Sequence, residues 1–219
     1  MSSAPVPTLA YWEGRARAQP IRNLLIYSGV KFTDKRYQSA ERKAWQSDKS
    51  TLGLDFPNLP YYIDGDLKLS QSTAILRYLG RKYGLVATDD RQRALQDMAE
   101  QQILDMREIF LKLIARAEDP AVKHDDYITT ILKPQLDLLV KFLADKQWLI
   151  GGQLSYVDFI VYEVMDWLRR FTPETIGKYA TIGQYLDRFE ALPAIKVYQS
   201  SGEYKPWPAF APHFKWRGI

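Results

Sequence analysis

The segment from Gly53 to Ser72 restricts the fold of this chain more than any other. Tyr61-Tyr62-Ile63 favours an extended strand, Asp64-Gly65 is a strong two-residue turn, and Leu67-Lys68-Leu69 alternates as a return strand. Ser70-Gln71-Ser72 then opens a helix, so the segment predicts a hairpin that delivers a helix N-terminus. Unpaired amides and partial positive charge at such an end suit a carboxylate, and plain capping by Ser70 or Ser72 is the alternative. Leu59-Pro60 stands just before the first strand. A proline lacks a backbone donor and keeps the preceding residue extended, which leaves Leu59 with an amide and a carbonyl to offer a ligand.

On the N-terminal side, Leu9-Ala10-Tyr11-Trp12 reads as a strand and Gln19 to Tyr27 as a helix stopped by Ser28-Gly29. Lys31 to Tyr37 alternates as a second strand, and Arg42 to Lys49 reads as a polar excursion around Trp45. With the hairpin and a helix from Ser72 to Lys82, this is βαβ followed by an antiparallel pair, a small mixed sheet. Gly84 ends that helix and Ala87 to Arg91 is a linker. Beyond it the spacing is helical over 89–115, 127–143, 156–171, 182–191 and 195–201, punctuated by Pro120, Pro134, Pro173 and Pro193. Ser155-Tyr156-Val157-Asp158 has capping-box spacing, a structural assignment. Tyr204 to Trp216, rich in proline and aromatics, reads as a draped tail.

Composition narrows the chemistry. With no cysteine among 219 residues, a disulfide scaffold, a thiol nucleophile and thiolate metal sites are excluded. His124 and His213 are the only histidines, far apart and expected at the surface, so a zinc site or histidine-based triad has little support. The formal charge of +4 is spread along the chain without a dense basic run, which argues against nucleic acid and suits small anions. No apolar run approaches a membrane span or a signal peptide, so the expectation is a cytosolic protein without a membrane partner.

Pro57-Asn58-Leu59-Pro60, followed by Asp64-Gly65 and Gln71-Ser72, resembles the glutathione-binding signature of the glutathione transferases, most nearly the mu class and within it the mite enzymes, some of them allergens. The resemblance implies an α/β thioredoxin-like domain over 1–86 and an all-α domain over 87–219 that contributes the electrophile site. It implies that Pro60 is cis, that Leu59 pairs its backbone with the cysteinyl part of glutathione, and that Gln71 and Ser72 hold the γ-glutamyl end. Trp45 and Lys49 are implied for the glycyl carboxylate with Asn58 nearby, and Asp105 for the γ-glutamyl amine across a dimer. Phe56 resembles an aromatic key that enters the partner subunit, and Arg77 the arginine of the twofold contact. Glutathione is a co-substrate here; no metal or other cofactor is implied.

Conjugation needs the thiolate. Lowering a thiol pKa by ~2 units takes ~2.7 kcal/mol of preferential interaction with the anion, within reach of a hydroxyl donor plus positive charge. Tyr11 stands where the resemblance puts the catalytic tyrosine, and Tyr11-Trp12 resembles the mu pair. The next residues depart from it: Ala16 replaces a glycine and Arg17 a bulky apolar residue, and Arg17 is expected as a second stabiliser of the sulfur or as a solvated loop arginine. The electrophile is expected between Tyr11, Trp12, Leu111 and Phe210. Ala115-Arg116 stands where the family has an assisting tyrosine, and Glu108 stands on the same wall, so a more polar pocket is expected. The implied function is conjugation of glutathione to hydrophobic electrophiles; a non-catalytic carrier and a glutathione-dependent isomerase are the rival readings.

Overall fold

The computed structural model describes residues 5–38, 40, 42–119, 124–210 and 214–216; Pro120 and His213 lie outside them. Its sheet has four strands in the order β2-β1-β3-β4, with β1 Thr8–Trp12, β2 Thr33–Tyr37, β3 Tyr61–Asp64 and β4 Leu67–Ser70. β1 and β2 run parallel, joined by α1 Gln19–Tyr27, while β3 is antiparallel to both β1 and β4. This is the mixed sheet that βαβ plus a hairpin predicts, with β2 starting two residues later than its alternation suggested.

Side-chain alternation assigns each face its own core. Leu9 pairs with Tyr62 and both enter the large core shared with the helices. Ala10 pairs with Tyr61 and both enter a small second core with Tyr37, Leu54 and Leu59. The expected excursion at 42–49 is instead a helix, α2 Arg42–Lys49, with none of its residues buried. Alanine, lysine and glutamine favour helix locally, but a face held by one half-buried tryptophan gives almost no periodic signal.

α3 Ser72–Lys82 follows the hairpin, and Gln71 stands before it at φ +69° with no side-chain cap bond. Neither serine caps this helix: Ser70 Oγ donates to the Phe56 carbonyl at 2.6 Å. Asp89 caps α4 Asp90–Phe110 by accepting from the Gln92 amide at 2.9 Å. The helical stretch then continues as a π-helical turn, Leu111–Ala115. Next come the short α5 His124–Asp126, a π-helical stretch Tyr127–Leu132 and α6 Lys133–Leu143. His124 is half-buried against Phe171. α7 Tyr156–Phe171, α8 Pro173–Ile176, α9 Ala180–Glu190 and α10 Pro193–Gln199 complete the helical part.

α7 is the central post, buried from Tyr156 to Leu168. Its capping box is closed: Asp158 accepts from the Ser155 amide at 2.7 Å, the Ser155 hydroxyl at 2.8 Å and the Tyr185 hydroxyl at 2.8 Å. The sheet side is tied to α7 at two points. Arg15 reaches Glu163 at 2.8 Å and Asp166 at 2.7 Å in full burial. Burial acts to raise the Asp166 carboxyl, but Arg15, Arg170 and Arg169 outweigh it and hold it at about 2. Gly80 of α3 lies so close to Tyr156 that a Cβ would come within 2.8 Å of its ring. No helix among the described residues is long and apolar enough to cross a membrane.

Candidate functional site

Tyr11 and Trp12 end β1 where the chain leaves the sheet, and the Glu13 amide donates to the Tyr37 carbonyl at 2.8 Å. The loop that follows is clamped by the tail, Ala16 donating its amide to the Ala209 carbonyl at 2.9 Å. Ala16 sits at φ +30°, a left-handed conformation that glycine accepts without steric cost. After this turn the Arg17 backbone acts to lower the Tyr11 phenol. Burial pushes the Tyr11 phenol above its ordinary value, against Arg17, Arg22 and Arg107, which act to lower it. The phenol is therefore protonated near neutral pH and available as a donor.

The Arg17 guanidinium donates to Glu108 Oε1 at 2.7 Å, and Arg107 Nε donates to the same oxygen at 3.2 Å. Burial, then the charge of Arg17, lowers Arg107 to about 10. Sequence reading missed Arg107, although the signal was present. It stands on the buried stripe of α4 with Ala99, Ile103, Met106 and Phe110, where a cation needs an explanation.

Tyr11, Trp12, Arg17, Leu111, Arg116 and Phe210 share a cavity of about 160 Å³, closed by Trp167, Ala209 and Phe214. Phe210 is buried with its ring centroid 4.5 Å from that of Trp167, so the tail is part of the core at this point and more than a drape. Ala115 is fully buried and does not line the cavity; its carbonyl accepts from the Lys215 amide at 2.9 Å. Arg116 takes the wall position, its guanidinium 5.0 Å from the Phe214 ring centroid. A larger groove of about 550 Å³ beside Val30, Phe32 and Tyr198 contains none of these residues, and size alone gives it no chemistry.

The second core gathers another set. Tyr11, Trp12 and Trp45 pack against Leu59, Tyr37 and Tyr61, with Trp45 stacked 6.0 Å from Tyr61. Tyr37 donates to Asp48 at 2.5 Å and Lys35 pairs with the same carboxylate at 2.6 Å, which pins α2 to the sheet. Lys49 is exposed at the end of α2. Leu59-Pro60 is cis. The Leu59 amide is already engaged, donating to Asn58 Oδ1 at 2.9 Å. Ser72 is buried as the first residue of α3, and the Gln71 backbone before it holds strain of about 1–3 kcal/mol, a common mark of functional positions. Asp105 is exposed on α4. Arg77 donates to the fully buried Glu100, and Phe56 is 78% exposed.

The sheet order, the helical second half and the cavity between them match a known architecture. The solved structure of the glutathione S-transferase Blo t 8 superposes with a TM-score of 0.87 and 36% identity, covering 96% of this chain and 99% of that one. A pi-class glutathione S-transferase of Onchocerca volvulus gives a TM-score of 0.79 at 30% identity, covering 89% and 92%. The N-terminal domain of the glutathione S-transferases matches residues 7–81 and their C-terminal domain residues 104–202. A glutathione S-transferase of Dermatophagoides pteronyssinus is 43% identical over 96% of each chain. The chain belongs to the glutathione S-transferase family. This transferase is also 38% identical to the rat enzyme Mu 2, over 95% of the chain and 97% of the relative, which fits the mu class.

Proposed function

We propose that this glutathione transferase joins glutathione to hydrophobic electrophiles through a thiolate held by the Tyr11 hydroxyl, as a cytosolic homodimer that removes reactive compounds. The observation that carries this reading is Tyr11 itself. It is a phenol whose pKa burial raises, lining a cavity walled by Trp12, Leu111 and Phe210 with Arg17 beside it. Glutathione lies along the second core, its glycyl carboxylate toward Trp45, Lys49 and Asn58. Leu59 takes its cysteinyl backbone once Asn58 turns away from the Leu59 amide, and Gln71 and Ser72 take the γ-glutamyl end. Tyr11 donates to the sulfur anion, which attacks the electrophilic carbon held against Leu111 and Phe210. In a substitution the C–S bond forms, the leaving group departs with its electron pair, and the thiol proton goes to solvent.

Two features support the dimer. Phe56 is exposed, and an apolar cavity of about 230 Å³ lined by Met98, Ile103, Leu138 and Phe142 between α4 and α6 has room for a phenyl ring. Asp105 is exposed on α4 and free to face a partner's ligand.

The decisive test is the thiol pKa of the binary complex, read by thiolate absorbance. We expect it ~2 units below a free thiol near 8.5, and Tyr11→Phe should raise it by ~2 units. The kcat/KM for a chlorodinitrobenzene should fall about 100-fold below about pH 6, about 25-fold at pH 7, and converge with wild type above pH 9, where both thiols are ionised. An unchanged thiol pKa in the variant would remove Tyr11 from this role. Tight glutathione binding without conjugate formation would leave the carrier reading standing.

A further inference from the structure

The cavity beside Tyr11 is walled by aromatic and aliphatic groups, yet its charged lining residues are Arg17 and Arg116, with no carboxylate lining it among the described residues. Glu108 stands outside that lining and is shared by Arg17 and Arg107. Two guanidiniums against one carboxylate leave that cluster with one net positive charge, and Arg116 adds a second across the cavity. Arg116 is exposed, and its guanidinium lies over the Phe214 ring, a cation–π contact. Charge of one sign in a cleft with apolar walls focuses the field and concentrates ligands of the opposite sign.

From this arrangement we infer that the cavity selects aromatic electrophiles that bear an anionic substituent, an arylcarboxylate above all. Arg116 is the specificity-determining residue and Arg17 a second contact restrained by Glu108. The inference rests on the conjugation reading above. A volume of about 160 Å³ holds roughly one aromatic ring, so the charged group stands at the mouth beside the guanidiniums while the ring fills the apolar part. In the reaction with a chloronitrobenzoate, the sulfur anion attacks the ring carbon bearing chlorine, the C–S bond forms and chloride leaves with the C–Cl pair. The carboxylate is unchanged throughout, and its contribution is binding alone.

A matched pair of acceptors, a chloronitrobenzoate and the corresponding chloronitrobenzamide, isolates that contribution, because intrinsic reactivity cancels between variants. The benzoate-to-benzamide ratio of kcat/KM should fall about fivefold in Arg116→Gln, as for a partly exposed ion pair, and be largely retained in Arg116→Lys. Glu108→Gln should move it the opposite way, upward by about threefold, and added salt should lower it in the wild type. A ratio in Arg116→Gln within about twofold of wild type would overturn the assignment. Binding of the halide-free nitrobenzoate and nitrobenzamide to the glutathione-loaded protein, followed by tryptophan fluorescence, separates the two levels of the argument. Preference for the benzoate that is lost in Arg116→Gln upholds the selectivity even if neither acceptor is turned over, which would overturn conjugation alone. Equal affinity for both overturns the selectivity even where conjugation proceeds.

Discussion

Ala16 shows how one side chain bears on the site. Its φ of +30° costs an L-residue about 1–2 kcal/mol that glycine avoids, and glycine returns about 0.5–1 kcal/mol of that through the unfolded chain. Ala16→Gly should therefore stabilise the protein by up to ~1 kcal/mol, seen as a small rise in the denaturant midpoint with unchanged slope. A destabilised variant would mean that the buried methyl outweighs the backbone term. At this scale the sequence was informative where geometry follows from chain position. The place of Tyr11 at the end of β1 was legible from the strand pattern, its role came from the family resemblance, and Ala16 stood out because it departs from that pattern. The engagement of Arg17 with Glu108 and the seat of Ala115 behind the wall were not, since the first depends on a side chain about ninety residues away and the second on the tail.

Among the elements, α2 is held by few contacts. It holds Trp45 and Lys49 but buries none of its own residues, and its attachment runs through Asp48 to Tyr37 and Lys35. The Lys35 and Tyr37 hydrogen bonds draw the Asp48 carboxyl below its ordinary value. Asp48→Ala should therefore raise the KM for glutathione about threefold to tenfold while kcat with saturating glutathione changes less than about twofold, the pattern of a lost positioning contact. Equal losses in both constants would place Asp48 in the chemical step. α3 and α4 were readable because each buries one face, and α7 matched its expected ends because its cap is written in Ser155 and Asp158. α2 was not readable, because what holds it is a single tryptophan and a carboxylate meeting residues of the sheet, and the π-helical turn at Leu111–Ala115 has no period that hydrophobic spacing reports.

Phe56, Met98 and Leu138 are each more than half exposed, as are Val6 and Val197 elsewhere on the surface. A twofold dimer needs key and lock on the same chain, so that each copy gives and receives the same contact. Phe56 ahead of the hairpin and the cavity between α4 and α6 meet that requirement, while Arg77, held by the buried Glu100, stands on α3 with its side chain still 42% exposed. An aromatic anchor in a closed pocket is the kind of contact whose truncation costs about 2 kcal/mol or more. Phe56→Ala should then weaken dimerisation by about thirtyfold or more in sedimentation, with the fold intact by circular dichroism. If Asp105 completes the glutathione site of the other copy, the KM for glutathione should rise in the same concentration range in which the dimer dissociates. A variant that stays dimeric at wild-type affinity would remove Phe56 from the interface. One that dissociates with unchanged KM would keep the interface and confine each glutathione site to a single subunit.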